Sequence, residues 1–526
     1  MKILLNKCKN FYLVTSLFFI FLFFIFSSLL SSFDPLWLYQ LSLKPEIGQK
    51  IYRDYSFAHG PITNLLFEIL HHFNRDSYNF FLCLGILQSL YAGYLVNLYS
   101  IKIVKKEIVQ KSCFLVTIFT FGTEYFFFYW DAYVFLIGLT SFYLIFFKKK
   151  IYSGNFLLVT TFFLKQTFGI IFLFIYLLLN IFKYINYVNK KNFFFFKNFL
   201  SYIFFFIIYL IFIALIYDIN NYYYENILTI FKWADASGKS SVINYLFSVI
   251  FLFPNIHNID HLKLFFTFEK FKFSLLFFYF LYRFPIIFIN IYLLLNINKI
   301  KSDIYFAYLI LILSSILVTP LLGRSYWGTI YFLPSIIIIF FYKNFNLHFF
   351  LKNNNKKKFI SIYISITLIF FLLFKLSHIN FVQTNHNYII KSHKHFFLNI
   401  HKKMLDDMNI DFNETKDLYN FLYDNKISGI YILGWKSRVI LSLLAQPELN
   451  RDVSFGLMNI SSNFLNSSNN FEDQLINDLN YKKPKYFLYE NSDFIEFTKG
   501  FTKNFLENYV ILYKNQNYTL FIIKNF

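Results

Sequence analysis

Apolar runs long enough to cross a hydrocarbon core, about 20 residues each, recur along the first three quarters of the chain, separated by short polar stretches. The pattern predicts a first span over 11–33 and later ones near 78–100, 112–129, 132–147, 153–164, 168–182, 199–217, 273–297, 304–322, 328–342 and 359–377, eleven crossings in all. The first run holds 23 residues against roughly 7–15 for a signal-peptide core, so it reads as an uncleaved span. After Leu376 the pattern shortens and becomes ordinary: a helix over 395–425, a buried strand at 429–434, a helix around 437–446, a strand at 486–489, and a hairpin pairing 509–513 with 518–524. The expected architecture is a polytopic α-helical membrane module, 1–379, followed by a small α/β domain, 380–526.

Lysine placement orients the spans. Segments 2–9, 102–111, 148–150, 183–197, 299–303 and 343–358 hold 21 Lys against two acids, Glu107 and Asp303, and cytoplasmic ends of spans collect such residues. All six fall on one side only if 153–182 is two short helices turning at Lys165-Gln166-Thr167. The N-terminus is then cytoplasmic, while the C-terminal domain and the loops 34–77, 130–131, 165–167, 218–272 and 323–327 are extracytoplasmic. The net charge of +21 is mostly this topology, because from Asn380 onward 16 bases face 15 acids. No nucleic-acid patch is present.

Composition sharpens the reading. With 57% hydrophobic and 15% charged residues the chain is no soluble globular protein. Lys outnumbers Arg 44 to 6, the signature of AT-rich coding, so each retained Arg, Gly, Pro or Trp carries more weight. Cys8, Cys83 and Cys113 form no disulfide framework.

These rarer residues gather on the outer face: all five Trp, Arg53, Arg75 and Arg324, the acids Asp34, Asp54 and Asp131, and the turn His59-Gly60-Pro61. An interfacial aromatic belt would mark both faces; one-sided enrichment points to an outward-facing site. Asp34 follows the first span directly, where a partly desolvated carboxylate can act as a base. A helix-ending Asp-Pro accounts for the same residue structurally. Lys165 and Arg324 have the alternative of snorkelling at the interface, Arg53 and Asp54 that of pairing with each other, and Glu124 and Asp131 that of capping. His71-His72 and His393-x-His395 read as surface histidines. Asp34, Asp54 and Asp131 could converge on a divalent cation through oxygen ligands, but no local spacing supports it, so no metal or cofactor is expected. The loop 218–272 carries a short apolar piece, 242–253, expected as an interfacial helix covering a lipid. Arg283, within a span, should face a cavity or a carboxylate.

An Asp at the end of the first span, a short helix, Gly48-x-x-x-Tyr52-Arg53-Asp54, and x-Gly60-Pro61 opening an apolar helix together resemble the bacterial GT-C glycosyltransferases related to protein O-mannosyltransferases and the aminoarabinose transferase of lipid A. Lys165-Gln166-Thr167-Phe168-Gly169 at an outer turn, Gly323-Arg324-Ser325-Tyr326-Trp327 before a late span, and the α/β tail extend the resemblance over most of the chain. It implies a GT-C fold in a bacterial inner membrane with a periplasmic C-terminal domain. It implies a polyprenyl-phosphate sugar as donor, a glycan, glycolipid or protein of the cell envelope as acceptor, and transfer with inversion. Asp34 would be the general base within the catalytic first outer loop, 34–77. Arg53, Asp54, His59, Asp131, Lys165 and Arg324 would bind substrate, with Lys165 and Arg324 on the departing phosphate. His59 stands where aminoarabinose-type relatives carry Lys-Pro-Pro, a departure in the phosphate clamp.

Two other classes share some of these features. A secondary transporter also has an outward charged cavity, but it places ionisable residues and broken helices at mid-membrane, and here the charges lie at the rim. An O-antigen polymerase or ligase has its dominant outer loop in the middle of the chain and lacks this tail.

Overall fold

The computed structural model describes residues 11–21, 40–51, 60–72, 77–124, 130–186, 192–217, 219–223, 333–344, 362–369, 412–433, 479–491 and 507–524, with isolated positions between 285 and 449. Most of the expected spans 273–297 and 304–322, the piece 242–253 and Arg283 lie outside these residues. In chain order the main helices are α1 (Phe11–Phe21), α2 (Pro61–His71), α3 (Ser77–Ile103), α4 (Glu107–Glu124), α5 (Trp130–Phe142), α6 (Ile151–Leu164), α7 (Gln166–Asn186), α8 (Asn192–Ile216), α9 (Leu333–Asn344) and α10 (Phe412–Asp424). The strands are β1 (Ile430–Leu433), β2 (Tyr486–Glu490), β3 (Tyr509–Lys514) and β4 (Tyr518–Ile523). Two compact units form, and neither is continuous in sequence. One comprises Met1–Ser27, Cys83–Ile208 and Ser240–Val382; the other comprises Ser28–Leu82, Tyr209–Lys239 and Gln383–Phe526.

The first unit is a helix stack in which α5 packs on α6, α6 on α7, and α9 on α4. Small residues permit the close approach that packing in a lipid-like environment relies on. A Cβ at Gly154 would lie 2.4 Å from Ile145 Cγ1 and 3.0 Å from the Ser141 carbonyl oxygen. Helix α5 ends in a π-helical turn, Tyr143–Phe147, whose Tyr143 carbonyl accepts from Lys148 N at 3.2 Å; the three lysines 148–150 then reverse the chain, with Lys149 at φ 57°. Buried polar groups are costly in apolar surroundings and find partners across helices. The Thr117 and Ser335 hydroxyls join α4 to α9 at 2.7 Å, and Ser335 Oγ also donates to the Cys113 carbonyl at 3.1 Å. Asn155 Nδ2 donates to the Asn198 carbonyl at 3.0 Å and Asn198 Nδ2 to Asn180 Oδ1 at 3.3 Å, tying α6, α7 and α8 together.

Within α8, Phe196–Ile216 is, among the described residues, the one helix of 18 or more residues apolar enough to cross a bilayer. Its Phe196, Phe204, Ile207, Ile211 and Leu215 are exposed, with Leu215 at 80%. Helices α1, α6 and the Gln166–Ile181 part of α7 are apolar but shorter.

In the second unit, residues 40–43 form one helical turn that continues as a 3₁₀ turn, Lys44–Ile47. Pro61 occupies the first position of α2, where its missing N–H costs nothing, and Thr63 N donates to the Gly60 carbonyl at 3.0 Å. The sheet has the order β1-β2-β4-β3, with β1 and β2 parallel and the other pairs antiparallel. An irregularity between Ile511 and Tyr513 interrupts the β3–β4 register. Leu418, Leu422, Ile430, Ile432, Leu488, Tyr518 and Leu520 form the core between α10 and the sheet. The Glu414 carboxylate accepts from Asn517 N at 2.9 Å and Asn517 Nδ2 at 2.8 Å, fastening the β3–β4 turn to the start of α10.

Candidate active site

Asp34, Arg53, Asp54, His59 and Arg324 lie outside the described residues, and Asp131 is described for its backbone alone. Lys165 is described in full. The run of apolar residues from Ile151 breaks at Lys165, whose backbone is extended (φ −153°, ψ 109°); its N–H donates to the Thr161 carbonyl at 3.0 Å and its own carbonyl accepts from Gly169 N at 3.0 Å. One extended residue between two helices turns the chain within a single step. The turn is tight enough that a Cβ on Gly169 would sit 2.2 Å from Phe162 Cα. Lys165 is half-buried, and its ammonium lies 5.4 Å from the centroid of the Phe168 ring, a cation–π contact that aims the charge back over the start of α7.

The local field adds to that charge. The start of α7 carries the positive end of the helix dipole, and Lys165 immediately precedes it. The turn therefore sets an ammonium beside a helix N-terminus, an arrangement suited to a phosphate oxygen.

Helix registry places Asp131 at the same level. Ser141 of α5 lies against Gly154 of α6. Ten residues lead from Ser141 back to Asp131 and eleven from Gly154 forward to Lys165, a climb of about 15–17 Å on each antiparallel helix at 1.5 Å per residue. The first turn of α5 and the Lys165 turn thus share one end of the α5–α6–α7 stack.

In the segment 40–51, Gly48 closes the 3₁₀ turn with φ 76°, and its N–H donates to the Pro45 carbonyl at 2.9 Å. This is a left-handed position that disfavours any side chain, which gives a structural reason for the Gly in Gly48-x-x-x-Tyr52-Arg53-Asp54. The segment also holds residues without a sequence signal for function: Gln40, Ser42 and Lys44 are fully buried. Their spacing follows no motif, and only burial in the folded chain reveals them. Among the described residues no three His, Cys, Asp or Glu side chains gather as a metal site.

No family model, curated protein or solved structure matches the chain.

Proposed function

We propose that this chain is an integral membrane glycosyltransferase of GT-C type that moves a sugar, with inversion, from a polyprenyl-phosphate donor to an extracytoplasmic acceptor such as a cell-envelope glycan or glycolipid. The observation that carries the reading is the combined pattern of the first outer loop: Asp34 at the end of the first span, Gly48-x-x-x-Tyr52-Arg53-Asp54, and Gly60-Pro61 at the head of an apolar helix. Asp34 takes the proton from the acceptor hydroxyl as its oxygen attacks the anomeric carbon. The bond from that carbon to the lipid phosphate breaks, and the phosphate leaves with both electrons. Lys165 and Arg324 neutralise the charge that develops on it, and Arg53, Asp54, His59 and Asp131 line the substrate site.

Two features of the described residues support this reading. The Lys165 turn joins an ammonium to the N-terminus of α7, chemistry that fits a departing phosphate. The apolar, exposed surface of α8 fits lipid, since exposed apolar area on this scale is a liability in water. The reading is tested by reconstituting the full chain in proteoliposomes with a panel of polyprenyl-phosphate sugars and envelope glycolipid acceptors. Consumption of one donor with stoichiometric release of polyprenyl phosphate is expected; sodium- or proton-coupled solute uptake with no donor consumed would replace the reading with a transporter.

A further inference from the structure

The segment between Asp34 and the Arg53-Asp54 pair is strapped to the C-terminal domain, within the second compact unit. Gln40 Nε2 donates to the backbone carbonyl of Gln446 at 2.9 Å, and Gln49 Nε2 reaches the carbonyl of Leu449 at 3.4 Å. Those acceptors are themselves fixed within the domain: Leu449 N donates to the carbonyl of Ile430 in β1 at 3.1 Å, and Gln446 N to the carbonyl of Leu441, a helical residue, at 2.9 Å. Between the two glutamines, Leu41, Ser42, Leu43 and Lys44 are at most 1% exposed, and Ile51 beyond them is 5% exposed. Residues 41–44 are thus packed inside while Glu46, Ile47 and Gly48 face outward, so the segment is anchored on both sides of an exposed turn.

The strap limits where the loop's chemistry can go. Ile51 stands two residues before Arg53 and Gln40 six residues after Asp34. At about 3.5 Å per extended residue, the chain length alone keeps the Arg53 Cα within about 7 Å of an anchored Ile51 Cα.

We propose that Gln40 and Gln49 are positioning residues, and that through them the C-terminal domain sets the geometry of the first outer loop for the transfer step. The catalytic part of this inference rests on the reading of Asp34 as general base; the strap itself does not. The domain is then a working part of the loop and contributes to kcat without touching the donor.

The test uses the full-length protein in lipid nanodiscs, as wild type, Gln40→Ala and Gln49→Ala, with two readouts. Amide hydrogen exchange over 40–51 reports the strap without reference to activity. Steady-state turnover of a polyprenyl-phosphate sugar reports kcat and donor KM. Loss of one such hydrogen bond should raise the local opening equilibrium by roughly 5- to 10-fold. Exchange over 40–51 should speed up accordingly, more in Gln40→Ala, whose side chain is fully buried, than in Gln49→Ala. In both variants kcat should fall with donor KM within about twofold, the signature of lost positioning and not of lost binding. Unchanged exchange in both variants overturns the strap. Faster exchange with unchanged kcat in an active enzyme overturns the positioning role alone. A wild type inert with every donor removes the glycosyltransferase reading and the positioning role together, while the exchange data still decide the strap.

Discussion

Replacing Gly169 by Ala should break the α6–α7 turn, and the geometry says how. The added Cβ would lie 2.2 Å from Phe162 Cα, 2.5 Å from Phe162 Cβ and 2.8 Å from Phe162 N. Carbon atoms in contact rest at about 3.5–4.0 Å, so the backbone of α6 must retreat by more than about 1 Å. No rotamer change relieves this, because Cα and N belong to the main chain and Cβ is fixed by it. Overpacking costs about 1–3 kcal/mol where side chains can yield; here the cost should reach about 3 kcal/mol, roughly 100-fold in the ratio of folded to unfolded protein. Gly138 supplies the control. A Cβ there would lie 2.3 Å from Phe172 Cζ, the tip of a side chain. Phe172→Ala should therefore rescue much of Gly138→Ala, whereas Phe162→Ala should rescue none of Gly169→Ala, because alanine keeps the same N, Cα and Cβ. The assay is labelling of the buried thiol of Cys113 during denaturant titration of detergent-solubilised protein, with Cys8 and Cys83 replaced by Ser. A Gly169→Ala protein as resistant as wild type, or one restored by Phe162→Ala, would show that the main chain at Phe162 does not set the limit.

Further outcomes follow from other contacts. Lys165→Met should lower kcat/KM for the lipid-phosphate donor by about 100-fold, the scale of a lost transition-state donor, with Lys165→Arg intermediate; a Met variant with unaltered kinetics would remove Lys165 from the site. Burial pushes the Tyr509 hydroxyl up to about 12, and it donates to the Pro484 carbonyl at 2.7 Å. A raised pKa stabilises the fold fully below the unfolded value near 10 and loses that contribution as pH climbs from there to about 12. The thermal midpoint of the C-terminal domain should thus fall across that window, and Tyr509→Phe should flatten the fall. Glu414→Ala strands Asn517 Nδ2 and leaves Asn517 N with only its 3.1 Å bond to Asn515 Oδ1; it should cost the domain about 1 kcal/mol, read as faster amide exchange at Asn517 and Tyr518. Ser335→Ala removes the hydroxyl link from α9 to Thr117 of α4 and should cost about 1 kcal/mol, measured by the same Cys113 labelling.

The parts of this structure legible in the sequence are those that leave a local trace. Lys165-Gln166-Thr167 interrupts an apolar run, and the lysine distribution requires a reversal there; α6 ends and α7 begins at that residue. Two short β-branched and aromatic runs on either side of Asn515-Gln516-Asn517 mark the β3–β4 hairpin. Helix α4 starts at Glu107, before the expected span start at 112, because charged residues at both ends of its first turn support the helix while breaking the apolar run: Glu107 satisfies the dipole and pairs with Lys111 one turn on. Hydrophobic pattern is blind to such a turn. The parallel pairing of β1 with β2 left no trace either, since partner choice across more than fifty residues depends on packing and not on local propensity. The same holds for Gln40 and Gln49, whose acceptors lie some four hundred positions away. At the site, sequence supplied the residue types, and the structure added the reason for two glycines: Gly48 takes a left-handed backbone and Gly169 admits a neighbouring main chain.

Asp34→Asn probes the proposed role of Asp34 as general base in sugar transfer from a polyprenyl phosphate. Purified wild type and variant would be given the donor that wild type consumes, and both turnover and donor binding measured. The variant should bind the donor with wild-type affinity and lose nearly all turnover, because an amide cannot take the acceptor's proton. A variant that turns over like wild type would make Asp34 structural and the mechanism wrong.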